Sequence, residues 1–123
     1  MKVVINACHG GFGLSDAAFE KFLGRKGIAW ENKPRGFRVP GGYGWHEYYH
    51  AGHLGEDEHY LYSRNMIKDR SDPDLVAVVE EMGKEANGFC AELKVIEIPD
   101  DVEWEVEEYD GLEWIAEKHR TWN

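Results

Sequence analysis

The alternation of apolar and polar residues divides the chain into short strands and helices. The β-branched run from Lys2 to Asn6 is typical of a buried first strand. Ser15 can cap a following helix, in which apolar residues recur at helical spacing until glycines end it. The apolar positions are Ala18, Phe19, Phe22 and Leu23, and the terminating glycines are Gly24 and Gly27.

A second helix has the clearest signals in the sequence. Asp72 is a favoured N-cap, Pro73 suits the first helical position, and Gly88 is a plausible C-terminal stop. One apolar stripe runs between these signals, made of Leu75, Val78, Val79, Met82 and Ala86.

The remaining strand signals lie before and after this helix. His59 to Ser63 ("HYLYS") and the run 90–99 ("CAELKVIEIP") each predict a strand, and residues 101–122 predict a hairpin that turns at Asp110-Gly111. The outgoing strand of this hairpin alternates apolar residues with glutamates (Val102, Trp104 and Val106 against Glu103, Glu105 and Glu107), and the return strand carries Leu112, Trp114 and Ala116. The pattern predicts an α/β (α+β) fold: a small, mostly antiparallel sheet with two helices, forming one domain over residues 1–123.

The segment from about residue 25 to 57 breaks this periodicity. Glycine, proline and aromatic residues dominate it, and neither a strand period nor a helix period persists. Segments of this length inside a compact domain usually serve function or an interface. We therefore expect an inserted loop at 25–57 that contains at most a short hairpin.

Charge and composition restrict the partners. The chain has 123 residues and a formal net charge of -10, so it lacks the basic field that a DNA or RNA polymer requires. A small anionic ligand stays compatible if arginines cluster locally. No apolar run could span a membrane and no signal-peptide pattern opens the chain, which favours a cytoplasmic protein. Cys8 and Cys90 are expected to be reduced residues in or near the core, with a disulfide as the weaker alternative.

One motif suggests metal chemistry. His46-Glu47-Tyr48-Tyr49-His50 matches the H-E-x-x-H pattern of zinc proteases, in which two histidines on one helical face share the metal. Glycines flank the motif and its aromatic residues favour strands, so a stable helix is not expected. A metal-free aromatic loop is the preferred interpretation. The alternatives are an adventitious or structural metal ion and a zinc hydrolase using His46, Glu47 and His50.

The glycine-rich turn "HGGFG" at residues 9–13 has two interpretations. Its backbone amides could cradle a phosphate at the start of the first helix. It lacks the sequence of a phosphate-binding or dinucleotide-binding loop, and Asp16 already occupies the positive end of the helix dipole. A tight turn that allows close packing is therefore preferred.

Two arginines could bind phosphate. Arg70 precedes the second helix, and Arg120 lies beside His119 and Trp122 near the end of the chain. Arginine binds phosphate through two parallel hydrogen bonds, and an aromatic ring offers a base a stacking surface. The alternative is that these arginines pair with some of the 24 acidic side chains.

Two stretches resemble a known family. "VINACHGGFGLS" near the N-terminus, and "RSDPDLVAVVEEMGKEANG" followed by "AELKVIEIPDDVEWEVEEYDGLEWIAEKHRTW", resemble the small phage-encoded Thoeris anti-defence proteins of the first described type. The resemblance covers residues 3–15 and about 70–122. Residues 25–66 fit no part of the family pattern, and nothing is transferred to them.

The resemblance implies a binding protein and not an enzyme. Members of the family form dimers or hexamers and sequester cyclic ADP-ribose isomers, glycocyclic ADP-ribose among them, at subunit interfaces without cleaving them. Some also hold cyclic trinucleotides at a separate site. The family's two diphosphate-binding arginines match Arg70 and Arg120. Its adenine-stacking aromatic residue has three candidates here, Phe12, Phe89 and Trp122, and His119 neighbours the second arginine.

Three functions thus follow from the sequence. The first is a non-catalytic sponge for cyclic ADP-ribose-type signals that blocks antiphage defence in the host cytoplasm and needs no cofactor. The second is the zinc hydrolase of His46, Glu47 and His50. The third is an interaction or structural protein in which the aromatic segment forms a subunit contact.

Overall fold

The computed structural model describes residues 1–34 and 46–117. The elements in chain order are β1 (Lys2–Asn6), α1 (Asp16–Arg25), β2 (Trp30–Pro34), β3 (His46–His50), α2 (Ser63–Met66), α3 (Pro73–Met82), β4 (Leu93–Glu97), β5 (Trp104–Tyr109) and β6 (Leu112–Glu117). Single turns of 3-10 helix cover Asp57–His59 and Gly83–Ala86.

The strands form three separate antiparallel pairs. β1 pairs with β4, β2 with β3, and β5 with β6. The α+β class, the single domain and the antiparallel pairing predicted from the sequence are confirmed. The sequence predicted one small sheet, whereas the strands of the described residues form three separate two-stranded sheets. The Asp110-Gly111 turn joins β5 to β6 as predicted, with positive φ angles of 49° and 90° at the two residues.

The core lies between β1 and the two ten-residue helices. Val3 and Val4 of β1 are fully buried, as a continuous apolar strand requires. The Ser15 hydroxyl accepts a hydrogen bond from the Ala18 amide and caps α1, and the Asp72 carboxylate caps α3. Both predicted N-caps are confirmed. The buried positions of the two helices are Ala18, Phe19, Phe22 and Leu23 in α1, and Leu75, Val76, Val78 and Val79 in α3.

Helix α3, the second of the two helices predicted from the sequence, ends earlier than predicted. It stops at Met82, because Gly83 adopts φ 58° and ψ -129°, a conformation that an α-helix cannot include. The 3-10 turn that follows carries Ala86 into the core. Gly88 is therefore not the stop. It contacts the glycine-rich turn instead, where a Cβ atom would lie 2.8 Å from the Gly13 carbonyl.

The inserted segment contains the short hairpin that the sequence allowed. β2 and β3 pair from Trp30 opposite His50 to Pro34 opposite His46. The strand predicted at residues 59–63 is wrong: Tyr60 makes a single bridge to Tyr49. The chain then leaves the edge of β3, because the Tyr62 carbonyl accepts the Asn65 and Met66 amides of α2.

Both cysteines are free thiols. Cys8 is half-buried and donates to the Cys90 carbonyl over 2.8 Å. Cys90 is exposed with φ 61°, so its expected place near the core is wrong. Within the described ranges, no helix is long and apolar enough to cross a membrane.

Candidate functional site

One cavity among the described residues has a volume of about 870 Å³. It lies between the start of α1, the strand β3, and the segments 60–63 and 87–91. Small-molecule pockets typically occupy about 300–1,000 Å³, so this cavity is large enough for a nucleotide-sized ligand.

Aromatic rings dominate the cavity wall. The phenylalanine and tyrosine residues that line it are Phe12, Phe19, Tyr48, Tyr60, Tyr62 and Phe89. Phe19 and Tyr48 pack edge to face with ring centroids 5.2 Å apart, and the Tyr60 and Tyr62 rings lie 4.2 Å apart. Phe89 is 57% exposed, so its ring is accessible to a planar ligand. Such a wall suits the π-face of a base.

Glycines let the two segments at the cavity rim approach each other. The Gly88 amide donates to the Gly13 carbonyl over 2.9 Å, and Ser15 donates its amide to the Ala86 carbonyl. A Cβ atom at Gly10 would lie 1.6 Å from the Cys90 carbonyl oxygen. The glycine-rich turn therefore allows close packing, as the preferred interpretation of the sequence predicted. Because these two segments pack together, Phe12 and Phe89 line the same cavity.

Arg70 stacks behind the cavity on Phe12. Its guanidinium carbon lies 3.6 Å from the centre of the Phe12 ring. Two of its nitrogens donate to the Glu113 carboxylate over 2.7 and 2.9 Å. Glu113 is 5% exposed and also accepts the Asn6 amide. Arg70 thus compensates a buried carboxylate and holds one face of an aromatic ring that lines the cavity.

The described wall carries little positive charge. None of the lining residues within the described ranges is a lysine or an arginine. Asp16 lies in the first turn of α1, and its carboxylate is 2.8 Å from Nδ1 of His46. A phosphate at this wall would therefore require cations supplied from elsewhere.

The tyrosines beside the cavity are held in the neutral form. Burial, followed by the hydrogen bond that the Tyr48 hydroxyl donates to Glu20, raises the pKa of Tyr48 far above its ordinary value. Burial and a hydrogen bond to Glu47 raise the pKa of Tyr49 to about 12. Tyr48 therefore donates to Glu20, and Tyr49 to Glu47, throughout the physiological pH range.

The H-E-x-x-H motif does not form a protease-type metal site. The motif is the whole of strand β3, so His46 and His50 lie about 13 Å apart along the strand axis at about 3.3 Å per residue. Glu47 points to the opposite face of the strand from both histidines. One zinc ion therefore cannot bind both His46 and His50, in agreement with the expectation that the motif is not helical.

Three of the residues predicted for the site lie near one another, and Arg70 is not one of those that line the cavity. Phe12 and Phe89 line one cavity, and Arg70 contacts the first of them. The other predicted site residues, His119, Arg120 and Trp122, lie outside the described residues.

Sequence reasoning missed the four further aromatic rings of the wall and the buried partner of Arg70. The alternation of Tyr60 and Tyr62 could have indicated a shared aromatic surface. Glu113 carries no signal, because it stands among many other glutamates.

No protein-family model, no curated protein and no solved structure matches the chain.

Proposed function

We propose that the protein is a non-catalytic binding protein that sequesters cyclic ADP-ribose-type signals, glycocyclic ADP-ribose among them, and thereby blocks antiphage defence. It acts in the host cytoplasm as a homodimer or hexamer and needs no cofactor. Cyclic oligonucleotides are a further ligand class, whereas nucleic-acid polymers and membranes are not partners. The proposal originates in the resemblance to the Thoeris anti-defence proteins.

The observation that carries the proposal is the shared position of Phe12 and Phe89. Both were candidates for stacking on adenine, and both line the cavity of about 870 Å³ although they are far apart in sequence. Adenine needs an aromatic face, and this wall offers several. The Arg70 guanidinium stacks on one face of Phe12 and restrains the plane of that ring.

The diphosphate needs positive charge. In the proposal, Arg120 supplies it directly, from its own subunit or from a neighbouring one. Arg70 either supports Phe12 alone or exchanges Glu113 for a phosphate group. The surplus of acidic residues keeps polymeric nucleic acid from competing for these arginines.

In the proposal, the polar groups of the cavity have structural roles, since three of those that the structure describes are hydrogen-bonded within the protein. The Ser15 hydroxyl donates to the Glu85 carbonyl and caps α1, so it is not paired with a base. His46 is bonded to Asp16, and Tyr48 donates to Glu20. Each of these groups already has a structural partner.

The test is capture followed by release. Pure protein is mixed with glycocyclic ADP-ribose, the free ligand is removed, and the protein is denatured by heat. We expect intact ligand in the supernatant, and Arg120→Ala should abolish its capture. Recovery of a hydrolysed product would replace the sponge with an enzyme, and no capture of any cyclic ADP-ribose isomer or cyclic trinucleotide would favour a structural protein.

A variant of the cavity wall tests the site itself. Phe89→Ala should weaken binding about 5- to 150-fold, because stacking of one base on one ring contributes about 1–3 kcal/mol. Tyr109→Ala is the matched control, since Tyr109 is an exposed aromatic residue on the β5–β6 hairpin, away from the cavity. Equal affinities of the two variants in calorimetric titration would remove Phe89 from the site.

A further inference from the structure

A second cluster of functional side chains lies beyond the end of β3. His50, His53, Glu56 and His59 follow one another at intervals of three residues. Each interval is closed by a backbone hydrogen bond from the later amide to the earlier carbonyl, at 3.0, 3.0 and 2.9 Å. The last interval is a turn of 3-10 helix, in which side chains three residues apart eclipse one another. The spacing therefore brings imidazole and carboxylate groups to one side of the segment.

Glycines and the neighbouring hairpin hold this segment in place. Gly52 and Gly55 have φ angles of 86° and 83°, which suit the third residue of a turn and which other residues rarely adopt. The Ala51 amide donates to the Ala29 carbonyl, and the Gly52 amide donates to the Glu31 carboxylate. The start of the segment is thus bonded to Ala29 and to Glu31 of β2.

Three of the side chains already lie within reach of one ion. His53, Glu56 and His59 each offer one ligand atom, and these atoms all lie within 4.8 Å of one another. Nδ1 of His53 is 2.5 Å from the Glu56 carboxylate. The imidazole rings of His53 and His59 stack with centroids 3.7 Å apart, and the His50 ring packs at right angles to His59.

We propose that His53, Glu56 and His59 form a Zn²⁺-binding site with water at the fourth position. Two imidazole nitrogens and one carboxylate oxygen are an established ligand set for open zinc sites. Ligand atoms of a tetrahedral zinc site are about 3.4 Å apart, so the three side chains must rearrange locally to bind one ion.

Ring rotation supplies that movement. A metal ion between two parallel rings would lie outside both ring planes, so zinc binding turns the two imidazoles out of their stack. The His53 side chain is 44% exposed and Glu56 is 58% exposed, which leaves both side chains free to rotate. Binding then joins both ends of the segment 53–59 and rigidifies it against the hairpin.

The proposed ligands lie outside the H-E-x-x-H motif and outside the cavity lining, although the ring of His50 from the motif packs against His59. Neither His46 nor Glu47 belongs to the proposed site, and none of its three ligands lines the cavity of about 870 Å³. The inference therefore does not depend on the proposed sequestration of nucleotides. It also assigns metal binding to residues that the protease pattern does not include.

The experiment uses the full chain without a histidine tag, freed of metal by a chelator and titrated with Zn²⁺ in a calorimeter. We expect one zinc per chain and a higher Tm in its presence. His53→Ala and His59→Ala should each weaken binding by more than the roughly 10- to 100-fold that loss of an outer-shell partner costs. Glu56→Gln, which keeps the size of an exposed side chain, should also weaken it.

His46→Ala and His9→Ala are the matched controls, and both should bind zinc as the unchanged chain does. Tetrahedral Co²⁺ absorption should appear in the controls and be lost in the His59 variant. Absence of stoichiometric zinc, wild-type affinity in the His53 and His59 variants, or loss of zinc in His46→Ala would each overturn the proposal. If a histidine variant fails to fold, the Glu56→Gln result decides.

Discussion

The β2–β3 and β5–β6 hairpins are both two-stranded antiparallel pairs, yet different forces attach them to the core. β3 buries two neighbouring tyrosines, Tyr48 at 3% and Tyr49 at 2% exposure, so both faces of the strand are covered. The Tyr48 ring packs edge to face against Phe19 of α1 and Trp30 of β2. Aromatic burial therefore holds this hairpin.

The β5–β6 hairpin is held by polar contacts. Its large side chains Tyr109 and Trp114 are 71% and 41% exposed, whereas Glu113 is buried. Glu113 receives two hydrogen bonds from Arg70 and one from the Asn6 amide. The Asn6 side chain also donates to the Gly111 carbonyl in the turn of the hairpin.

The way in which each hairpin is attached decides whether it is coupled to the candidate site. Apolar burial is non-directional and tolerates small rearrangements, whereas a buried ion pair depends on both partners and on their geometry. The ion pair of the β5–β6 hairpin includes Arg70, which stacks on Phe12 in the cavity wall. The β5–β6 hairpin is therefore coupled to the proposed ligand site through Arg70.

The largest expected effect is loss of the buried carboxylate. Glu113→Ala should lower the free energy of unfolding by about 3–5 kcal/mol, because it leaves Arg70 partly buried without its counter-charge. Urea unfolding followed by tryptophan fluorescence measures the change.

Two further variants test whether the pair itself is responsible. Glu105→Ala on the exposed face of β5 should change stability by no more than about 0.5 kcal/mol. The double variant Arg70→Met, Glu113→Leu should lose less than Glu113→Ala alone, because it buries no unpaired charge. Equal losses for Glu113→Ala and Glu105→Ala would show that polar contacts do not hold this hairpin.

A smaller loss of stability is expected when a turn glycine next to either hairpin is replaced by alanine. Gly111 and Gly52 have φ angles of 90° and 86°, so alanine is strained at both, by about 1–2 kcal/mol. A Cβ atom at Gly111 would also lie 2.4 Å from the His9 carbonyl oxygen, whereas one at Gly52 meets nothing within 4 Å.

We therefore expect Gly111→Ala to lower the free energy of unfolding by about 1–3 kcal/mol more than Gly52→Ala, through overpacking against the glycine-rich turn. Parallel urea unfolding of the two variants measures the difference. Equal losses would mean that the β5–β6 turn does not dock on residues 9–11.

The smallest effect concerns the hydroxyl groups of the buried tyrosines. Tyr48→Phe should lower the free energy of unfolding at pH 8 by about 1 kcal/mol, because the hydrogen bond to Glu20 is lost. Tyr109→Phe is the control, since this side chain is 71% exposed, and it should have no effect.

The same hydroxyls predict a dependence on alkaline pH. Burial raises the pKa of Tyr48 and of Tyr49 above the ordinary value of 10.0, so the folded state retains these protons when the unfolded state has lost them. Their contribution to stability is complete below pH 10 and falls as the pH rises further. Urea unfolding from pH 9 to 11 should show this decline, with a shallower slope in Tyr48→Phe and in Tyr49→Phe. Identical slopes in all three proteins would contradict the burial of these hydroxyls.

The sequence predicted those features of the fold that depend on neighbouring residues. The β1 strand follows from its continuous β-branched run, the N-caps Ser15 and Asp72 from local hydrogen-bonding capacity, and the last hairpin from Asp110-Gly111. Each signal acts within a few residues along the chain.

Local signals failed where two of them competed. Gly83 and Gly88 are both acceptable helix stops by residue type, and the backbone conformation of Gly83 decides between them. The H-E-x-x-H motif is likewise defined only by residue spacing. In a helix this spacing brings the two histidines together, whereas in strand β3 it keeps them apart.

By itself, the sequence determined the two long helices, most of the strands, the acidic charge and the aromatic richness of the inserted segment. Only the tertiary structure decided which aromatic rings share a cavity, and which glutamate among many is buried against Arg70. It also decided that His53, Glu56 and His59, and not His46 and His50, lie within reach of one metal ion. The physical reason is that these arrangements depend on contacts between distant segments and on backbone conformation, neither of which residue type or spacing specifies.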